Sequence, residues 1–303
     1  VVEFIQSLGF KRSLLEPCWY FKHDQGRLVS QILIDVDDFL VSGLPSLRSW
    51  IRDKLTSRFK FGKWLQDEGD YIGRYIKKTD DRVTLCQEKY IIENLKPVHL
   101  ERGRKSLKNS ELSASEKAAF VSPVYQLNWV SKETRPEGSG TASLLARRVQ
   151  NPTVDDAIIL NKAICLIRGS ANIPITLWRL PPNFVFAGTS DCAGANPELG
   201  EAAQGAALCF AAHPSIVDGS MAKVSLLSWR SAKVRRVVVS TLGGESLSLS
   251  SMLGELEWLQ VLYRDVVYQD VSLSNWRSSV GPFTVALKEE CQMKDRQNEV
   301  GIV

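Results

Sequence analysis

The chain has 303 residues, 44% apolar and 24% charged, with a formal net charge of +4. That balance excludes a disordered or collagen-like chain, and the length leaves room for two domains of roughly 100–200 residues each. No run reaches the roughly 18 uninterrupted apolar residues of a membrane helix. The six cysteines form no C-x-x-C pair and the three histidines are scattered, so zinc-ligand spacing is absent and reduced thiols in an intracellular protein are expected. The mild positive charge admits a polyanionic partner without requiring one.

The opening "VVEFIQSLGF" places Val2, Ile5 and Leu8 at helical spacing before Gly9 and carries no leader pattern. It reads as the end of a helix begun upstream, so the chain is expected to be a fragment. Residues 1–97 read as one α/β unit. A strand over Cys18–Lys22 precedes strands at Val29–Ile34 and Phe39–Ser42. A helix then runs from Leu47 to about Phe59 with Leu47, Ile51, Leu55 and Phe59 on one face. Asp70–Lys77 and Arg82–Cys86 predict a hairpin around Thr79–Asp81, and Gln87–Leu95 a short helix before Pro97. Residues 98–122 are polar, charged and read as a linker. Residues 123–180 predict helices at Tyr125–Lys132, Gly140–Gln150 and from a Thr153 N-cap to about Arg168. After the "LPPNF" turn, residues 181–303 predict strands at Phe184–Gly188, Ala206–Ala211 and Ser225–Trp229, then a helix from about Gly244 to Val266. The overall class is α/β (α+β).

The stretch "QILIDVDDFLVSG" sets Asp37 and Asp38 side by side between apolar runs that want burial. Two readings stand: a solvated hairpin turn, or a carboxylate pair for a hard cation such as Mg²⁺, which prefers oxygen ligands and recruits phosphates. No G-x-G-x-x-G, P-loop, G-x-S-x-G or H-E-x-x-H offers a different active site.

In order, "LGFKRSLLEPCWYFK", "ILIDVDDFLVSG", "YIGRYIKK", "VTLCQEKYI" and "YQLNWVSKETRPEGSGTASLLARRVQNPT" succeed one another. Together they resemble the carboxy-terminal part of the Pol polyprotein of Ty1/copia-type retrotransposons. The resemblance runs nearly the whole length and implies reverse transcriptase palm and thumb (1–97), a linker (98–122), a helical connection (123–180) and an RNase H-like domain (181–303). It implies that Asp37 and Asp38 bind metal in the polymerase palm, with Asp35 where the family usually has tyrosine. Asp191, ending "FVFAGTSD", resembles the terminal aspartate of the first RNase H strand, and Glu245 resembles a second ligand on the first helix, although Gly243-Gly244 replaces the usual residues there. The bland reading of Glu245 is a first-turn glutamate favoured by the helix dipole.

The block "SLLSWRSAKVRRVVVST" resembles the family's Ser-Trp-x-Ser-x-Lys segment. Its Arg230, Lys233, Arg235 and Arg236 are either contacts to nucleic-acid phosphates or a solvated basic turn. "NEVGIV" resembles the opening of the fourth RNase H strand, with Asp270 and Asp295 poor substitutes by position for its aspartate. The resemblance implies Mg²⁺ or Mn²⁺ as cofactor, an RNA or DNA template-primer or hybrid as partner, and a cytoplasmic particle or the nucleus as location. It implies no membrane and no small-molecule cofactor. Each metal site is expected to lack one aspartate, so the chain is expected to be catalytically incomplete. The alternative is a non-catalytic remnant that binds nucleic acid or retains no role.

Overall fold

In the computed structural model the described residues are 1–194, 203–238, 240–268, 271–272, 274–276, 284–288 and 300–302. They form seven α-helices and three β-sheets, an α+β architecture in agreement with the class expected from sequence. The chain divides into two units: Val1–Ile72 with Glu255–Pro282, and Gly73–Gly254 with Phe283–Val303. Among the described residues no helix is long and apolar enough to cross a membrane.

In the first unit, the alternation of apolar residues around the acidic pair produces antiparallel pairing. Strands β1 (Lys11–Arg12), β2 (Trp19–Asp24), β3 (Arg27–Asp35) and β4 (Asp38–Gly43) lie in sequence order in one sheet. Helices α1 (Val2–Ser7) and α2 (Pro45–Arg58) contribute Ile5, Ile51 and Leu55 to a core with Phe10, Tyr20 and Ile32. Phe4, Phe39, Phe59, Phe61 and Trp64 pack around that core, and edge-on ring contacts such as Phe39–Phe61 at 5.2 Å order them. β5 covers Glu68–Tyr71. The strand expected over Asp70–Lys77 is interrupted: Ile72 and Gly73 take φ values of +50° and +67°, left-handed backbone that no strand continues through. Gly73 also lies against the Trp129 indole, 2.7 Å from where a Cβ would stand.

The second unit begins with β6 (Arg74–Lys78), β7 (Arg82–Cys86) and β8 (Ile175–Trp178), paired antiparallel. Helices α3 (Glu88–Asn94), α4 (Ala114–Glu133), α5 (Ser139–Ala146) and α6 (Val154–Gly169) share one core. On α4 the buried residues Phe120, Val124, Leu127 and Val130 recur at three- and four-residue spacing, which is one face of a helix. α4 starts well before the expected Tyr125 and continues through Pro123. A proline there deletes one backbone hydrogen bond, but the fully buried Phe120 and Val124 on either side hold the segment helical.

The polar stretch 98–122 is packed. Val98, Leu100, Leu112 and Phe120 belong to the core, and a capping box of Ser113 and Glu116 starts α4. Glu116 also pairs with Arg104 at 2.8 Å. Thr153 forms a second capping box with Asp156 at the start of α6, as its N-cap reading required. The far end of α6 is closed by buried Arg135, which donates to Ser170 O and Ser170 Oγ, both at 2.6 Å. Those bonds occupy acceptors that a helix C-terminus leaves open.

The last sheet has the order β11 (Val224–Lys233), β10 (Gln204–Ala212), β9 (Val185–Ala193), β12 (Thr284–Lys288), β13 (Val300–Ile302). β9, β10 and β11 are antiparallel, and β12 runs parallel to β9. The strand anticipated at "NEVGIV" does form, as β13, but it pairs antiparallel with β12, and β12 occupies the place beside β9. Asp270 and Asp295 lie outside the described residues. Helix α7 (Thr241–Val267) packs its first half on this sheet in the second unit: the Cys209 thiol lies 3.8 Å from Met252 O. Its second half belongs to the first unit, where the Asp265 carboxylate accepts from Ser13 Oγ at 2.6 Å and from the Leu14 amide at 2.9 Å.

Candidate functional site

The hairpin of the first unit has a two-residue loop, Val36 and Asp37, closed by pairing of Asp35 with Asp38. Cross-strand partners share a face of the sheet. The carboxylates that the pairing sets opposite each other are therefore those of Asp35 and Asp38, while Asp37 sits in the turn. All three residues are exposed. Val36 has φ +48° and is 86% exposed. A β-branched residue in the left-handed region is strained, and two-residue hairpin loops normally place glycine or asparagine where φ is positive. The hairpin thus combines backbone strain with like charges facing each other, both of which oppose its stability.

In the second unit, Asp191 lies on β9 beyond Thr189, the last β9 residue paired with parallel β12. It is exposed, and it pairs across with Ala206 of β10. α7 brings Glu245 to the backbone of β9. Ser240 caps that helix, accepting from the Gly243 amide at 3.1 Å, and Glu245 therefore falls beyond the first turn, not within it. Its Oε1 accepts a hydrogen bond from the Cys192 amide at 3.3 Å, directly after Asp191. Gly244 makes this approach possible: a Cβ there would stand 2.6 Å from Cys192 Sγ. Of the two glycines, Gly244 is thus the one that lets helix and strand meet. Burial pushes the Cys192 thiol up, opposed by the Ser248 hydroxyl, and the Glu245 and Asp191 carboxylates raise it further.

Arg230 and Lys233 lie on β11 and Arg235 and Arg236 in the segment after it; all four are exposed. They line one groove of about 320 Å³ beside β10 and α7, together with Gly205 and Ser248. Trp229 is half-buried and donates from Nε1 to Ser131 O at 2.7 Å, which is a packing role. Gly205 and Ser248 escaped the sequence reading, and Gly244 entered it only as a departure from the family pattern. The available signal was the run of small residues in "QGAALCFAA", which leaves a strand free to lie close beneath a helix.

Among the described residues no three His, Cys, Asp or Glu side chains gather into a group able to hold a metal ion. Asp191 and Glu245 are ligands of the kind Mg²⁺ uses, which is commonly held by one or two carboxylates with water and phosphate oxygens completing six ligands.

No protein-family model matches the chain. It is 23% identical over 276 residues to the retrovirus-related Pol polyprotein from transposon TNT 1-94 of Nicotiana tabacum, a match covering 85% of this chain and 20% of that protein. This distant likeness supports a retrotransposon Pol origin. The chain spans about a fifth of that relative's length.

Proposed function

We propose that this chain is the part of a copia-type Pol protein that carries the palm hairpin and thumb, a helical connection and an RNase H-like domain, and that it acts at the phosphates of nucleic acid. The observation that supports this reading is the hydrogen bond from the Cys192 amide to Glu245, which ties that carboxylate to the backbone of the residue after Asp191. Asp191 and Glu245 would hold one Mg²⁺ or Mn²⁺ there, and Asp37 and Asp38, with Asp35 opposite, would serve the polymerase hairpin. A cation so held supplies Lewis acidity and an activated water for in-line phosphoryl transfer. The Cys192 amide fixes the Glu245 carboxylate in place, and preorganisation of that kind is what transition-state stabilisation requires. Arg230, Lys233, Arg235 and Arg236 bind phosphates without reading sequence, a contribution independent of any cation. With two carboxylates as ligands, cleavage by this chain is expected to be slow and binding to dominate.

The test compares the chain with its Asp191→Asn variant on a labelled RNA–DNA hybrid with Mg²⁺ or Mn²⁺, measuring binding and cleavage separately. The proposal expects salt-sensitive binding by both proteins, with any cation-dependent cleavage confined to the unsubstituted chain. Cleavage that survives the substitution, or a chain that does not bind the hybrid at all, would contradict it.

A further inference from the structure

The sheet of the first unit has one face turned to the α1 and α2 core, through Tyr20 and Ile32, and a second face that bears Asp35 and Asp38. Strand pairing sets Leu33 and Leu40 next to the two carboxylates on that second face, followed by Gln31 and, on β2, Trp19 and Phe21. The face is open at one end and covered at the other. Asp35 and Asp38 are exposed, whereas Phe21 is 2% exposed although it points away from the core. What reaches the covered end is the second half of α7. His23, edge-on to Phe21 at 5.6 Å, donates from Nε2 to Val267 O at 3.0 Å, and Val261 and Val266 of the helix are buried.

Asp265 fastens this half of the helix. Its buried carboxylate accepts from Ser13 Oγ and from the Leu14 amide. Both donors belong to the turn that leads into β2, where the Ser13 amide donates to Trp19 O and Ser13 Oγ accepts from the amides of Leu15 and Glu16. Bonds to a charged acceptor are the stronger kind, so one side chain fixes the helix end. Trp19 stands opposite Leu33, two residues before Asp35. The fastened turn therefore begins about 7 Å along the strand and one strand spacing of about 5 Å from the carboxylate pair. A nucleic-acid duplex is broader than that, its major groove alone being about 12 Å wide.

We infer that the second half of α7 is an autoinhibitory strap, seated on the carboxylate-bearing face of the hairpin sheet and competing there with a nucleic-acid duplex. This rests on the polymerase-hairpin reading above. A cation held by Asp35 and Asp38 recruits phosphates onto their own face of the sheet, so a duplex bound there displaces the strap, and its affinity is reduced by whatever holds Asp265 in place.

The test is hydrogen exchange of the full chain, read by mass spectrometry with and without a DNA primer–template duplex in Mn²⁺, together with duplex affinity by fluorescence anisotropy. Adding duplex should slow exchange over residues 33–40 and speed it over 255–267. Asp265→Asn should bind the duplex about tenfold more tightly, and Ser13→Ala, which leaves the Leu14 amide on Asp265, should gain less. An Asp35→Asn/Asp38→Asn chain should lose both exchange effects, which separates duplex held at the hairpin from duplex held elsewhere. Protection of 33–40 with unchanged exchange over 255–267, and no gain in either variant, overturns the strap and leaves the hairpin reading standing. Protection of 33–40 that appears only in the variants supports the strap. Its absence from the unsubstituted chain and both variants overturns the hairpin reading and the strap with it. Circular dichroism checks the fold of each variant; should Asp265→Asn not fold, Ser13→Ala and the exchange of the unsubstituted chain decide.

Discussion

Two adjacent glycines on α7 should respond to alanine in opposite directions. Exchanging glycine for alanine within a helix gains about 0.8–1 kcal/mol of helical preference. At Gly243 the added methyl meets Ser240 Oγ at 3.3 Å, tighter than ordinary contact, and Val238 Cγ1 at 3.8 Å, so part of that gain should be realised once the exposed serine shifts by a few tenths of an ångström. At Gly244 the methyl would stand 2.6 Å from Cys192 Sγ and 3.4 Å from Cys192 Cβ, so helix or strand must move. Overpacking of this kind costs about 1–3 kcal/mol. Set against the same helical gain, Gly244→Ala should destabilise by about 1 kcal/mol while Gly243→Ala stabilises by somewhat less than 1 kcal/mol. Urea unfolding of both variants measures this. A double-mutant cycle with Cys192→Ala, which removes the obstructing sulfur, should return a coupling energy of about 1–2 kcal/mol. If Gly244→Ala stabilises as Gly243→Ala does, or if no coupling to Cys192 is found, then the close approach of α7 to β9 that positions Glu245 is wrong.

Other expectations follow from single contacts. The hydrogen bond from Arg104, joined by the Ser113 amide, holds the Glu116 carboxyl down at about 2 from 4.5. The folded-state value is depressed, so its stabilisation is present above the unfolded value and lost as pH falls from about 4.5 toward 2. Glu116→Gln should flatten the pH dependence of unfolding in that window, and an unchanged slope would refute the assignment. Arg135→Met should cost about 1.5–3 kcal/mol in urea unfolding, since it strips charge-assisted bonds from half-buried acceptors at Ser170; a cost below about 1 kcal/mol would count against its capping role. Asp35→Asn should stabilise the first unit by about 0.2–1 kcal/mol at low salt. That gain should fade as sodium chloride is raised, and a salt-independent effect would argue against repulsion from Asp38.

Much of this architecture was legible in the residues, for reasons that also mark where reading fails. Apolar alternation on both sides of the acidic pair placed the hairpin, because a half-buried strand imposes that period. Which carboxylates face each other was not legible, since it depends on a loop of two residues, and Val36 carries none of the usual turn chemistry. Gly73 did signal the break in Asp70–Lys77, but its partner Ile72 is a residue that normally continues a strand. The spacing of Ser113 and Glu116 marks a helix start, which Pro123 obscured. Composition hid the packing of 98–122, because Val98, Leu100 and Leu112 stand as isolated apolar residues in a polar stretch and are buried through tertiary contacts. For the candidate site, Asp191 and Glu245 were named from resemblance. The approach of α7 to β9 depends on the missing side chain at Gly244, which carries no periodic signal.

The central claim is that Asp191 and Glu245 form one cation site at the meeting of β9 and α7. Titration of Mn²⁺ into the chain, followed by electron paramagnetic resonance, tests it most directly when repeated on Asp191→Asn and Glu245→Gln. The account predicts that each substitution removes the same class of bound Mn²⁺, leaving any contribution of the Asp35–Asp38 hairpin untouched. Unchanged Mn²⁺ binding in both variants, or a loss confined to one of them, would contradict it.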